Sequence, residues 1–243
     1  MSSYGGANIV TDGLVLSLDA ANVKSYPGSG ATWRDLSGNN NHFTLYNSVG
    51  FNNQNGGALT FNGTNQYAAS ISNINLTSYN YVVVEIFYRT NATSPLGIIF
   101  EHTTNWNSNT GGFGLGVNTD GNNNVANINH TNHNTEVSRN YRVVDNTNWS
   151  NNVNIFSKIG DSTGRLTYLN SNLLPFVEGG GYQTSTVTTP GGSFANAIFY
   201  IGSRAGIASF FGGNIGSIKI YGFKMDPSQV QQNYNALKSR YNL

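Results

Sequence analysis

The residues best suited to acid–base chemistry are eleven carboxylates, and they are scattered along the chain. A retaining glycoside hydrolase needs two carboxyl groups about 5 Å apart, which acidic residues at a spacing of two on one strand would provide. No two acidic residues here lie within four positions of each other. Glu85 and Glu101 could still meet across strands; alternatively, Glu85 points outward on its sheet or pairs with an arginine. We assign no catalytic residue and predict a non-enzyme, with glycoside hydrolase as the least favoured alternative.

Metal ligands are few, and the absence of cysteine excludes disulfides and thiolate sites. His130 and His133 could offer two imidazoles to a metal, but no carboxylate adjoins them, which favours a solvated loop. Asp120, Asn122 and Asn124 supply oxygen ligands of the kind that Ca²⁺ prefers, without the full pattern of a calcium loop. We predict no cofactor. Two alternatives stay open for residues 120–124, which are bound calcium or a plain turn.

Tryptophans flanked by amides have the parts of a sugar site. An indole ring stacks on the apolar face of a pyranose, and amides match its hydroxyls with donors and acceptors. Asn105, Trp106 and Asn107 form such a group, and Trp149 has a similar setting. We predict these four as glycan-binding residues, whereas Trp33 is predicted to lie in the core. The alternative is that Trp106 anchors its own loop or fills a subunit contact.

The elements that must position these residues are clearest near the end of the chain. In residues 211–223, Ile218 and Ile220 alternate with polar residues, and this period of two predicts a strand with one face on a core. Asp226 followed by Pro227 is typical of a helix start. The apolar residues that follow are spaced to form one helical stripe: Val230, Tyr234, Leu237 and Tyr241. The chain is therefore predicted to close with a core strand and a helix over 226–241.

Composition and periodicity together predict an all-β fold. Only 9% of the 243 residues are charged, while 14 Tyr and 13 Phe supply apolar area for a sizeable core. Leu14, Leu16 and Leu18 mark a first strand, and residues 81–88 are apolar on nearly both faces, which favours a central strand covered on both sides. About a dozen strands recur with turns about every 8 to 12 residues. We predict a two-sheet antiparallel β-sandwich of the jelly-roll type with one short C-terminal helix, as a single domain over 1–243 with a flexible arm at 1–8.

Charge and hydropathy exclude several classes of function. The net charge is +1 with no basic block, so nucleic acid is not an expected partner. No apolar run reaches the roughly 20 residues of a membrane span, so we predict no membrane-spanning segment. The first ten residues lack a basic segment followed by an apolar run, so we predict no signal peptide and synthesis in a cytoplasm.

Four stretches together resemble a known family. They are DGLVLSLDAANVKSYPGSGATWRDLSGNNNHFTL, GGALTFNGTNQY, GIIFEHTTNWNSNTGGFGLGVN and FGGNIGSIKIYGFKMDPSQVQQNYNALKSRY. In this order they resemble laminin-G-like, concanavalin A-like jelly rolls, especially those of phage and giant-virus structural proteins. The chain departs from the family at Asn62 or Gln66, where members often have Asp, and it lacks the paired carboxylates of the glucanase members. The resemblance implies two curved antiparallel sheets, first and last strands side by side, and a role in sugar binding or assembly.

From the residues and the resemblance we predict a non-enzymatic virion structural protein, either a capsid decoration or a tail or fibre component. The viral context rests on the resemblance alone. Expected partners are other virion proteins, further copies of the chain in a homo-oligomer, with a trimer as the first choice, and host-surface glycans. The expected location is the virion. The alternative is a free carbohydrate-binding module or lectin.

Overall fold

The computed structural model describes most of the chain. The described residues are 8–91, 97–104, 111–117, 148–158, 166–174 and 193–243, with the backbone alone at 125–130 and 137–141. Strands dominate this part of the chain, and they pair antiparallel in two large sheets and one small one.

The first sheet has the order β15-β14-β13-β8-β18-β5-β4, and β1 also pairs with β18. Its strands are β1 (Leu14–Asp19), β4 (Gly50–Asn52), β5 (Ala58–Asn62), β8 (Tyr81–Thr90), β13 (Ser150–Ser157), β14 (Leu166–Leu169), β15 (Asn172–Leu173) and β18 (Gly212–Tyr221). One edge of β18 serves two partners, because its first half pairs with β5 and its second half with β1. Leu18 lies opposite Ile218, so the first strand borders the last one, as the resemblance implied.

The second sheet has the order β12-β11-β10-β9-β17-β6-β3-β2. Its strands are β2 (Thr32–Trp33), β3 (Phe43–Tyr46), β6 (Tyr67–Ser70), β9 (Gly97–His102), β10 (Gly112–Val117), β11 (Val125–His130), β12 (Val137–Tyr141) and β17 (Phe199–Ile201). A separate short pair joins β7 (Ile74–Asn75) to β16 (Asn196–Ala197).

The main core lies between the two large sheets. Side chains that alternate along β8 of the first sheet and along the strands of the second sheet belong to one buried cluster, which includes Val82, Val84, Ile86, Leu115, Phe199 and Ile201. Phe113 and Phe156 meet across the gap, with their ring centroids 4.5 Å apart. Trp33 is fully buried in this cluster, as predicted. The fold is thus a two-sheet antiparallel β-sandwich, which confirms the predicted fold class.

The C-terminal helix covers the outer face of the first sheet. The helix α1 spans Pro227–Leu237 and continues as a 3₁₀ turn over Lys238–Tyr241. Asp226 caps it, because its carboxylate accepts hydrogen bonds from the backbone N–H groups of Ser228 and Gln229. The ring of Tyr241 stacks on Phe87 with centroids 4.7 Å apart. The helix predicted over 226–241 is therefore present, and its last turn is a 3₁₀ turn.

The start of the described chain is tied to this helix. The side chain of Gln232 donates to the carbonyl of Asn8 at 2.7 Å, and the backbone N–H of Val10 donates to Asn233 Oδ1 at 2.8 Å. Of the arm predicted at 1–8, residues 1–7 lie outside the described residues. Another short 3₁₀ turn spans Gln54–Gly56. No helix in the described part of the chain is long and apolar enough to cross a membrane.

Close packing of the final turn on β18 gives a first prediction. A methyl group at Gly216 would overlap the ring and hydroxyl of Tyr241. We expect Gly216→Ala to lower the free energy of unfolding by roughly 1–3 kcal/mol, because the ring must leave its place on the sheet. Urea unfolding of wild type and variant measures the difference.

The matched control is Gly50→Ala in the edge strand β4. There the nearest atom to an added methyl would be Thr60 Cβ at 3.4 Å, which is ordinary contact. We expect this control to stay within about 0.5 kcal/mol of wild type. Equal losses in the two variants would show that the Tyr241 contact does not matter.

Candidate ligand-binding face

Two groups of predicted site residues lie outside the described residues. They are the sugar-binding candidates Asn105, Trp106 and Asn107, and the calcium candidates Asp120, Asn122 and Asn124. Both hypotheses therefore stay predictions. His130 ends β11, while His133 lies outside the described residues. Elsewhere in the part of the chain that the structure describes, no three His, Cys, Asp or Glu side chains gather into a metal site.

Trp149, the fourth predicted glycan-binding residue, is packed between the first sheet and the C-terminal turn. Its side chain is only 7% exposed, and its ring lies 4.6 Å from that of Tyr241. Its Nε1–H donates to Asn55 Oδ1 at 3.1 Å, and the Arg89 guanidinium lies 5.8 Å from the ring centroid. This placement gives the indole a packing role and leaves little ring surface for a sugar.

The carboxylates of Glu85 and Glu101 do not meet. On β8, Val84 and Ile86 face the core, so Glu85 between them points to the outer face of the first sheet, beneath α1. On β9, Phe100 faces the core, so Glu101 points to the outer face of the second sheet. The two side chains are on opposite sides of the sandwich. The partner of Glu85 is a lysine, Lys219.

The outer face of the second sheet carries a cluster of aromatic side chains. Tyr46 of β3 lies directly opposite Tyr67 of β6, and their rings stack with centroids 4.6 Å apart and planes 8° apart. Tyr200 of β17 and Phe210 each lie 6.4 Å from the Tyr67 ring. We call these four residues the tyrosine patch. Tyr46 is 40% exposed, so its ring is accessible to a ligand.

The phenol groups of the patch influence one another. The pKa of Tyr67 is raised first by burial and then by the neighbouring Tyr46 and Tyr200 hydroxyls. The pKa of Tyr200 is raised by burial, by the Glu101 carboxylate and by Tyr46. The Tyr67 and Tyr200 hydroxyls therefore remain protonated at neutral pH, and each can both donate and accept a hydrogen bond.

Glu101 lies behind the patch and is fully buried. Its Oε2 accepts a hydrogen bond from the backbone N–H of Ala205 at 3.0 Å, while Oε1 has no hydrogen-bond partner. Burial raises the pKa of Glu101 to about 7, and the Ala205 N–H and the Arg204 charge offset only part of that effect. A buried carboxyl group with a shifted pKa and a free oxygen is a recognised mark of a functional site.

The segment 202–210 contacts both Glu101 and the Tyr67 ring. The Arg204 N–H donates to the Ala208 carbonyl at 2.8 Å, which closes a tight turn. Gly206 sits in the left-handed region with φ 73°, and a side chain there would overlap the Tyr67 ring. Ile207 at the tip is 80% exposed. The segment thus fixes one edge of the patch and projects an apolar side chain beside it.

A cleft of about 460 Å³ lies on the other side of the molecule. It is lined by Ala21, Asn55, Gly56, Ala236, Ser239 and Arg240. Its polar groups largely satisfy one another, since both ends of the Asn55 amide are hydrogen-bonded and Arg240 pairs with Asp19 at 2.8 Å. The tyrosine patch offers more uncommitted polar groups than this cleft, so we take it as the candidate site.

Sequence reasoning did not find the tyrosine patch. The available signal was strand alternation, which places Tyr46 outward because Phe43 and Leu45 face the core. The stack itself depends on the register that sets Tyr46 opposite Tyr67, and these residues are too far apart in sequence for local periodicity to predict that register.

Comparison with known proteins gives structural relatives only. No protein-family profile matches the chain, and no curated protein matches it as a relative. The binding domain of botulinum neurotoxin DC, solved in complex with rat synaptotagmin II, aligns with a TM-score of 0.66 at 15% identity over 94% of this chain and 52% of that one. The same domain in complex with SialylT gives a TM-score of 0.67 at 16% identity, over 93% and 52% of the two chains.

A third structure, from work on botulinum neurotoxin type C and its cell entry through two ganglioside molecules, has a TM-score of 0.65 at 16% identity, over 94% and 52% of the two chains. At such identities the likeness shows the fold alone. The chain spans about half the length of each of these binding domains. The similarity supports the two-sheet β-sandwich fold and does not single out the laminin-G group.

Glu101 and His102 give a prediction about pH, because burial shifts their pKa values in opposite directions. Burial lowers the pKa of His102 from 6.5 to about 4 and raises that of Glu101 from 4.5 to about 7. The Glu101 contribution to stability is full below about pH 4.5 and is lost as the pH rises towards 7. The His102 contribution is full above about pH 6.5 and is lost as the pH falls towards 4. Between about pH 4.5 and pH 6.5 the contributions of Glu101 and His102 to the unfolding free energy therefore change with pH in opposite directions.

We expect Glu101→Gln to reveal the pH dependence of the unfolding free energy that His102 contributes. Between pH 6.5 and 4.5 the variant should lose about 2 kcal/mol of unfolding free energy relative to wild type, measured by urea unfolding at several pH values. All other groups are common to both proteins and cancel in the difference. Parallel profiles for the two proteins would contradict the raised pKa of Glu101.

Proposed function

We propose that this chain is a non-enzymatic carbohydrate-binding domain with a lectin-like β-sandwich, and that the tyrosine patch is its glycan contact. The observation that carries the proposal is the exposed, parallel stack of Tyr46 on Tyr67 beside a buried carboxyl group, Glu101, with a free oxygen.

The patch has the chemistry that a sugar requires. A flat ring takes the apolar C–H face of a pyranose, and neighbouring phenol hydroxyls pair with sugar hydroxyls as donors and acceptors. The stack holds Tyr46 in place before binding, so little side-chain entropy is lost on contact. Glu101 is buried and influences Tyr200, so in this proposal it acts through that hydroxyl and does not touch the ligand.

Two further observations support the proposal. The solved structures named above include binding domains, and their descriptions name SialylT, two ganglioside molecules and rat synaptotagmin II. In addition, Glu85 and Glu101, the carboxylate pair that sequence left open, lie on opposite faces of the sandwich, which argues against a hydrolase built on them.

Substitution of Tyr46 tests the site. We expect Tyr46→Ala to weaken binding of the glycan selected on a broad array by roughly tenfold, because about 1.4 kcal/mol of ring contact is lost. Titration calorimetry with the selected glycan measures the change.

The matched control is Phe51→Ala. Phe51 is a comparably exposed aromatic residue, 37% accessible, which packs against Tyr26 near the first sheet. We expect the control to bind as wild type does. No binding by wild type across the array, or equal affinities of wild type and Tyr46→Ala, would contradict the proposal. If Trp106→Ala alone abolishes binding, the site lies at residues 105–107 and the tyrosine patch is not the contact.

We also propose that this domain belongs to a virion structural protein, as a capsid decoration or a tail or fibre component. Support comes from the order of the four sequence stretches and from the low charge with many amide and aromatic side chains, a composition that suits wet, salt-tolerant contacts. Its partners would be other virion proteins and further copies of the chain, with a trimer as the first choice. Light scattering separates the alternatives, since a stable multimer supports the structural role and a monomer supports a free lectin.

A further inference from the structure

A polar cluster lies beneath α1, where three side chains converge on the Glu85 carboxylate. Asn151 Nδ2 donates to Oε1 at 3.1 Å, from the neighbouring strand β13. Asn233 Nδ2 of α1 donates to Oε2 at 3.0 Å, and the Lys219 ammonium on β18 approaches the same oxygen at 3.4 Å. Both asparagines are fully buried, and Lys219 is 3% exposed.

This arrangement is costly for a purely structural element. Removing an ammonium and a carboxylate from water costs several kcal/mol per ion, and apolar residues of similar size often serve stability as well or better. An aromatic ring also borders the pair, since the Lys219 nitrogen lies 5.8 Å from the Phe87 ring centroid. However, a buried amine and a buried carboxamide that share one carboxylate oxygen are the reactants and the proton carrier for forming an amide bond between side chains.

We propose that Lys219 and Asn233 join in an intramolecular isopeptide bond, with Glu85 as the catalytic proton carrier. The Lys219 and Asn233 nitrogens share one oxygen, Glu85 Oε2, so a proton can pass from nucleophile to leaving group through that atom.

The Asn233 carboxamide is also held as an electrophile. Its Oδ1 accepts the backbone N–H of Val10 at 2.8 Å, which stabilises negative charge on that oxygen when the carbonyl carbon is attacked. Its Nδ2, the leaving nitrogen, also lies 2.9 Å from the Tyr221 hydroxyl. The three contacts fix the orientation of the amide before reaction.

Glu85 takes one proton from the Lys219 ammonium, and the neutral amine attacks Asn233 Cγ, forming the new N–C bond. Glu85 then returns that proton to Nδ2 as the C–Nδ2 bond breaks, ammonia leaves, and Glu85 keeps the second proton lost by Nζ. A buried ion pair is thereby replaced by a neutral amide and a neutral carboxylic acid, which removes its desolvation cost and favours the product.

The cross-link would fasten α1 to β18, the strand at the centre of the first sheet. Its place is distinct from the tyrosine patch, on the opposite side of the sandwich, so it does not depend on the proposed glycan function. We expect it to make the helix inseparable from the sheet even where the rest of the chain unfolds.

Mass spectrometry of the folded wild-type protein tests the bond. We expect an intact mass lower than the sequence mass by one ammonia, about 17 Da. Trypsin should give residues 205–224, uncut at Lys219, joined to residues 225–238. Full mass with normal cleavage at Lys219 would overturn the proposal, and a link from Lys219 to Asn151 would overturn the assignment to Asn233.

Two variants complete the test. Lys219→Arg keeps the positive charge without the amine nucleophile, and Glu85→Gln removes the proton carrier; we expect both to show the full mass. Circular dichroism shows whether the two variants fold. If Glu85→Gln does not fold, the mass of Lys219→Arg and the peptide map of the wild-type protein still test the cross-link. A loss of ammonia that persists in Lys219→Arg would contradict the cross-link and indicate a reaction at another asparagine.

Discussion

A carboxylate buried beneath a helix has to find its partners within the protein, and Glu85 imposes that requirement on one whole side of the sandwich. Asn151, Lys219 and Asn233 reach it from two strands and the C-terminal helix. Asn233 in turn accepts the backbone N–H of Val10. Four distant pieces of chain are thus assembled around one charge, and leaving any of these polar groups unpaired would cost more than its hydrogen bond contributes.

The two outer faces of the sandwich consequently have different roles. The first sheet is closed by α1, whose apolar stripe and final tyrosine pack on β8, β13 and β18. The second sheet carries the tyrosine patch, where Tyr46 is partly accessible and Glu101 lies behind the rings. One face is used for holding the fold together, and the other has the chemistry for contact with a ligand. This division places the proposed glycan site on the opposite face of the sandwich from the C-terminal helix.

Much of the architecture follows from local pattern. The alternation around Ile218 and the Asp226 cap predict β18 and α1, because one depends on side-chain direction along a strand and the other on unpaired N–H groups at a helix start. The candidate site was harder to predict. Trp149 has polar neighbours in sequence, yet it is buried because the C-terminal turn covers that part of β13. The Tyr46–Tyr67 stack and the partners of Glu85 depend on strand register and on contacts between residues distant in sequence, which neither composition nor spacing reveals.

The Glu85 cluster joins the helix and the first sheet into one cooperative unit, and native-state hydrogen exchange tests this coupling most directly. A helix of 11 residues is too short to persist alone in water. We therefore predict that the buried-face amides of α1 exchange with the same opening free energy as the central amides of β18. Exchange of the helix amides through a separate, lower-energy opening, while β18 stays protected, would contradict the account.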